Sequence, residues 1–195
     1  MKTRISLAAI FAFGFVLATF TAAQDQKEAK YKELPNFHPV NSGLYRGGQP
    51  ERGGLEQLKK LGVKTIINLR DDDERARAEK AEAESMGFRY FNIPFASFDR
   101  PSDKAVDEVL KVIASQENSP LFIHCKRGSD RTGTVIAIYR IEHDGWDGEK
   151  AKAEAKRYGM GFWQVGMKDY IHDYYGRKAQ RSSDSSSTVT TKPTP

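Results

Sequence analysis

The stretch Pro120-Leu121-Phe122-Ile123-His124-Cys125-Lys126-Arg127-Gly128-Ser129-Asp130-Arg131-Thr132-Gly133, continuing into Thr134-Val135-Ile136-Ala137-Ile138-Tyr139, holds the single cysteine of a 195-residue chain. Its first part is a short apolar run with the length and residue types of a buried strand. The part after Gly133 carries apolar residues at helical spacing and predicts a helix that ends near His143. The ten residues His124 to Gly133 therefore span a strand end, a loop and a helix start. Unpaired backbone N–H groups and the positive end of a helix dipole both favour an anion at such a place.

Cys125 followed, after five residues, by Arg131 puts a thiol at the floor of that anion cradle. A field that attracts a phosphate dianion also favours S⁻ over SH; cysteines in such settings reach pKa values of roughly 3.5–7.5. Arg131 has the planar fork that holds two phosphate oxygens at once, which a lysine lacks. Gly128 admits loop dihedrals and a close backbone approach that a side chain would block. Thr132 brings a hydroxyl near the sulfur, suited to steadying it as a leaving group. Lys126, Arg127, Gly128, Ser129 and Asp130 complete the phosphate-binding loop with Arg131. A purely structural cysteine would not collect Lys126, Arg127, Asp130 and Arg131 beside it.

Elsewhere, strand and helix patterns alternate. Tyr45 to Pro50 contains a strand that ends in a Gly-Gly-Gln-Pro turn, and Gly54 to Leu61 has leucines at helical spacing. Val63 to Leu69 reads as a buried central strand. Asp71-Asp72-Asp73 caps a helix running to about Ser85, which is nearly all charge and alanine and predicts a solvated face. Phe88 to Ile93 is a further strand, and Ser102 caps a helix from Asp103 to about Ser115. Asp147 caps another to Tyr158, and Val165 to Tyr175 reads as a terminal helix. The alternation predicts a single-domain α/β sandwich whose central, mainly parallel sheet is flanked by helices. Ligands of such sheets sit at the carboxyl ends of strands, where the cysteine loop lies.

The loop resembles the signature of cysteine-dependent protein tyrosine and dual-specificity phosphatases. Upstream, Asn36-Phe37, Leu44-Tyr45-Arg46-Gly47-Gly48-Gln49-Pro50 and Val63 to Arg70 resemble the opening of small bacterial, plant and fungal members, so the likeness covers about residues 36–175. It implies a phosphoric monoester hydrolase that works through a Cys125 phosphoenzyme, with no cofactor and no metal. The expected substrates are phosphotyrosyl or phosphoseryl/threonyl proteins, with inositol phosphates or phosphoinositides as the alternative. Lys126 after Cys125 is similar to tensin-like phosphoinositide phosphatases and makes the rim more basic than phosphotyrosine requires. Arg46 and Gln49 read as structural, His124 as orienting the loop. A phosphate-recognition module that has lost turnover is a further reading. A sulfur-transfer domain is disfavoured by Arg131-Thr132-Gly133, and redox-coupled thiol reductases are excluded because no second cysteine exists to resolve a disulfide.

The family usually carries an acid on a mobile loop to protonate the leaving oxygen and later activate water. Two residues compete for this role. Asp99, in Ala96 to Pro101, has the expected order along the chain at a shorter spacing than usual; Asp103 nearby reads as the first turn of a helix. Asp130, directly before the signature arginine, makes the segment similar to the loops of myotubularin-type and mycobacterial secreted phosphatases, for which an in-loop acid has been considered. Its alternative is a structural ion pair with Arg70 or Arg46.

Composition sets outer limits. Lys2 and Arg4, the apolar core Leu7 to Phe20 and the small residues Thr21-Ala22-Ala23 read as a signal peptide over 1–23, too short for a comfortable membrane span. The expected location is therefore exported, periplasmic or secreted, without stable membrane insertion after cleavage. Taking 23 from 195 residues leaves 172, and losing Lys2 and Arg4 lowers the formal charge from +5 to +3. That charge is spread and not interleaved with aromatics, which argues against nucleic acid. Residues 24–35 read as a leader, 36–176 as the phosphatase domain and 177–195 as a disordered Ser/Thr/Lys/Pro tail. His38, His143 and His172 have no metal-ligand spacing. The oligomeric state is left open.

Overall fold

Ile66 and Ile67 are neighbours in sequence, both fully buried, and they face opposite ways into two separate cores. Phe122 and Ile123 do the same one strand away. A strand buried on both faces loses the polar alternation of an exposed one, which is why these runs are continuously apolar. Each such side chain contributes about 1.5–3 kcal/mol by leaving water.

The computed structural model describes residues 31–187. Its strands are β1 (His38–Asn41), β2 (Leu44–Gly48), β3 (Thr65–Asn68), β4 (Arg89–Asn92) and β5 (Leu121–Cys125). They form one sheet in the order β1-β2-β5-β3-β4, with only β1 antiparallel to its neighbour. The helices are α1 (Gly54–Lys60), α2 (Glu74–Ser85), α3 (Asp103–Ala114), α4 (Asp130–His143), α5 (Gly148–Arg157) and α6 (Val165–Ser187). Leu55 and Leu58 of α1 and Ala83 of α2 share a core with Ile66 and Phe122. The other core joins Ile67, Ile123 and Cys125 to α3, α4, α5 and α6. The mainly parallel α/β sandwich is thus as the alternation predicts, with β1 as an additional edge strand. Pairing Gly48 with Cys125 and Asn68 with His124 brings three strand ends to the start of the cysteine loop.

Two expectations are corrected. The solvated face assigned to α2 is broken by Ala76, Glu79 and Ala83, which form a buried stripe at helical spacing. The segment 177–187, expected to be disordered, continues α6. There the long cations cover apolar surface and find acceptors: Arg177 and Arg181 lie over the Tyr174 ring, Arg177 pairs with Asp103, and Lys178 donates to the carbonyls of Ile141 and Glu142 at the end of α4. The rings and the orphan helix carbonyls give those charges a docked position. The expected signal peptide, most of the expected leader and residues 188–195 lie outside the described residues.

Candidate active site

Cys125 ends β5 and is buried. The next four residues turn into α4, whose first turn, Asp130 to Gly133, is buried as well. Three successive carbonyls of this loop are held from outside by upstream residues. Lys126 O accepts from the Gln49 N–H at 3.3 Å, Arg127 O from Asn36 Nδ2 at 3.2 Å, and Gly128 O from Arg46 Nη2 at 2.8 Å. Drawing carbonyls outward leaves the loop N–H groups to face inward, the polarity that an anion site requires.

Gly128 has φ +72°, and a Cβ there would lie 2.4 Å from the Gly47 carbonyl carbon and 2.6 Å from the Gly48 nitrogen. Both the backbone conformation and the approach to β2 exclude a side chain. The pairing of β2 with β5 thus presses the loop against Gly47-Gly48 and fixes its shape.

Arg131 is buried and held by the main chain, with Nη1 donating to Leu69 O at 3.2 Å and Phe95 O at 3.4 Å. These carbonyls lie beyond β3 and β4, so two neighbouring strands aim the guanidinium. The exposed Asp71 carboxylate lies 3.9 Å from the same Nη1. The sequence reading placed Asp71 in a helix cap, but Asp73 alone caps α2, accepting from the Ala76 N–H at 2.8 Å while pairing with Arg70. The Thr132 hydroxyl is fully buried and has no hydrogen-bond partner among the described residues.

The two acid candidates differ sharply in surroundings. Asp130 Oδ1 accepts from the Gly161 N–H at 2.9 Å, and Oδ2 pairs with Arg127 Nη2. The ion pair is therefore with Arg127 rather than Arg70 or Arg46. Asp99 is exposed, on the loop following Phe95. That loop touches the start of α6, where Gln164 Nε2 donates to Ser97 O at 3.2 Å. Around it are exposed rings, Phe98 at 76%, Phe162 at 84% and Trp163 at 49%, with the Arg127 guanidinium 5.7 Å from the Trp163 ring centre. Trp163 is thus half exposed, at the rim. Lys126 and Arg127 are exposed, while Ser129 is buried.

Behind Cys125, His124 Nε2 lies 3.1 Å from Glu79 Oε1, near enough to pair in charge but off the hydrogen-bond direction. Glu79 Oε2 accepts from Asn68 Nδ2 and the Tyr90 hydroxyl, each at 3.0 Å. Burial alone would raise the Glu79 pKa, but the adjacent His124 ring and the polar groups of Gln49 and Tyr90 hold it below the ordinary glutamate value. Burial and the Glu79 charge in turn push the Tyr90 hydroxyl well up, so it stays a donor. The sequence reading missed Glu79; its spacing from Ala76 and Ala83 was the available signal.

A stability prediction follows from this pair. Because the folded pKa of Glu79 is depressed, its contribution is present above the unfolded value of about 4.3 and is lost as pH falls through the folded one. Glu79→Gln is expected to cost about 1–3 kcal/mol at neutral pH, since it breaks a buried charged network. In urea titrations the gap between native and variant should close as pH is lowered below about 4.3. A gap that stays constant with pH would contradict the assignment.

Residues 17–173 match the family described as DSP-PTPase phosphatase fused to NAD+ kinase. The dual specificity protein phosphatase TpbA of Pseudomonas aeruginosa strain UCBPP-PA14 is 35% identical over 127 residues, covering 65% of this chain and 56% of that protein. The inositol diphosphatase DSP4 of Arabidopsis thaliana is 32% identical over 109 residues, covering 54% of each. This chain therefore spans about half the length of these curated relatives. The crystal structure of P. aeruginosa TpbA superposes with a TM-score of 0.63 at 27% identity, covering 76% of this chain and 91% of that one.

Proposed function

Since this chain belongs to the cysteine-dependent dual-specificity phosphatase family, we propose that it hydrolyses phosphate monoesters through a phosphoenzyme on Cys125. The observation that carries the reading is the cradle itself: a buried cysteine at a strand end, three loop carbonyls turned outward, and Arg131 aimed by two main-chain carbonyls. The Cys125 sulfur attacks phosphorus as the ester P–O bond breaks, and the leaving oxygen takes a proton from an acid. Water then displaces the sulfur, giving up its proton to the same carboxylate and releasing inorganic phosphate. Loop amides and Arg131 hold the phosphoryl oxygens in both steps. The Thr132 hydroxyl supports the sulfur as it leaves.

Asp99 is our choice of acid. Both Asp130 oxygens are engaged by Gly161 and Arg127, whereas the Asp99 carboxylate is exposed on a loop next to the carbonyl that aims Arg131. Asp99→Asn is expected to slow alkyl phosphates by about 10²- to 10⁴-fold and good aryl leaving groups far less. If Asp130→Asn gives that leaving-group pattern and Asp99→Asn does not, the roles are reversed.

Phosphorylated proteins are the favoured substrates, because exposed Phe98, Phe162 and Trp163 offer an apolar rim to an aromatic or peptide leaving group. Exposed Lys126 and Arg127 support inositol phosphates as the alternative. An exported location is part of the proposal and rests on residues 1–23. The direct test is phosphate release in EDTA and reductant from phosphotyrosine peptide, phosphoserine peptide, inositol hexakisphosphate and a phosphoinositide. Release from the peptides above the inositides supports the favoured class, and the reverse supports the alternative. No release from any substrate by folded protein overturns the enzyme reading in favour of a phosphate-binding module.

A further inference from the structure

Arg46 is among the largest fully buried side chains of the described residues and lies on β2, opposite Ile123 of β5. Its Nη2 donates to Gly128 O, its guanidinium lies 4.4 Å from the Tyr158 ring centre, and buried Nε and Nη1 meet no acceptor among the described residues. A buried guanidinium with two idle donors is costly, and apolar groups of similar volume often fill such places with equal or better stability. Its retention beneath the loop therefore calls for a role in the cradle.

Two further observations say which role. Asn36, in the left-handed region at φ 51°, donates from one amide nitrogen to both Arg127 O and Tyr158 O, so the ring under Arg46 and the loop above it are tied to one residue. Burial pulls the Arg46 pKa down to about 10, opposed mainly by the Glu154 carboxylate. With Nε and Nη1 finding no acceptor and Nη2 only a carbonyl among the described residues, the cation is under-compensated from within. An anion bound in the cradle adds to the same compensation.

Resting on the phosphatase reading, we propose that Arg46 is a positioning residue for the reaction: it turns the Gly128 carbonyl out of the cradle, and its buried charge couples to the anion held there. By reciprocity, the anion stabilises the Arg46 cation as much as Arg46 strengthens anion binding. Asn36 supports the same carbonyl arrangement one residue earlier. Arg46, which reads as structural in sequence, and Asn36 are thus the outer half of the phosphate site.

The test measures tungstate binding calorimetrically, without turnover, alongside the melting temperature, for native protein, Arg46→Met and Arg46→Lys. Arg46→Met is expected to melt at the native temperature or higher, yet to bind tungstate about 10- to 100-fold more weakly. Arg46→Lys, which keeps a cation and one donor, should fall between. A merely structural arginine would lower the melting temperature together with affinity. Native-like binding by folded Arg46→Met overturns the proposal. Should that variant fail to fold, Arg46→Lys decides: weaker binding at an unchanged melting temperature supports the proposal, and unchanged binding overturns it. If native protein itself binds no tungstate, the phosphatase reading fails first and this inference falls with it.

Discussion

Cys125→Ser is expected to abolish turnover while leaving oxyanion binding nearly intact. A serine hydroxyl is a weak nucleophile at neutral pH unless a base takes its proton. The adjacent imidazole is not that base, because His124 is buried against Glu79 on the far side of the strand end. The loss in kcat should be on the order of 10⁴-fold or more, the scale found when a nucleophile is removed from an assembled site. The loop amides and Arg131 are untouched, so tungstate affinity should stay within about threefold of native. Rates from a continuous phosphate assay and affinities from calorimetry check the two halves separately. Residual activity above about one per cent would mean that the sulfur is not the attacking atom.

The second large effect is expected from Gly128→Ala. The added methyl would sit inside contact distance of the Gly47-Gly48 backbone, and the positive φ is unfavourable for any residue with a Cβ. Neither neighbour is a flexible side chain that could move aside. Strain and overpacking together predict a loss of about 2–5 kcal/mol in unfolding free energy. Any relief must swing the loop away from β2, breaking the Arg46 bond to Gly128 O and turning amides off the anion. A shift of about 1 Å in such a site costs on the order of 100-fold, so kcat/KM should fall at least that far. Denaturant midpoints and kcat/KM for one substrate test both statements. A variant that keeps native stability and rate would contradict the tight seating of the loop on β2.

What could be read in advance depended on how local the information was. Cys125, Gly128 and Arg131 lie in one contiguous segment between a strand pattern and a helix pattern, so their shared site was legible before any fold was known. The two-sided burial of β3 and β5 was equally plain, because Val63 to Leu69 and Leu121 to Ile123 lack polar alternation. Asn36, Arg46 and Glu79 were not legible as site residues. Arg46 reaches Gly128 across 82 positions, through a strand pairing that the residues alone do not specify. Glu79 is one acid among many on α2; its spacing from Ala76 and Ala83 marks a buried stripe, but its partners Tyr90 and His124 come from docking of the helix. The end of α6 misled for a related reason: Arg177, Lys178 and Arg181 look like a solvated tail until the tyrosines and the α4 carbonyls receive them. Charged residues are read as exposed by default, and these found partners far away in sequence.

Central to the account is a covalent phosphoryl group on Cys125. The most direct measurement is rapid acid quench during turnover of a good phosphate ester, followed by peptide mass spectrometry across residues 121–131, with Asp99→Asn included to slow the second step. The expected product is a peptide heavier by one phosphoryl group, with the modification on Cys125, formed in a burst no slower than the first turnover. Steady phosphate release with no phosphoryl group on Cys125 in either protein would contradict it.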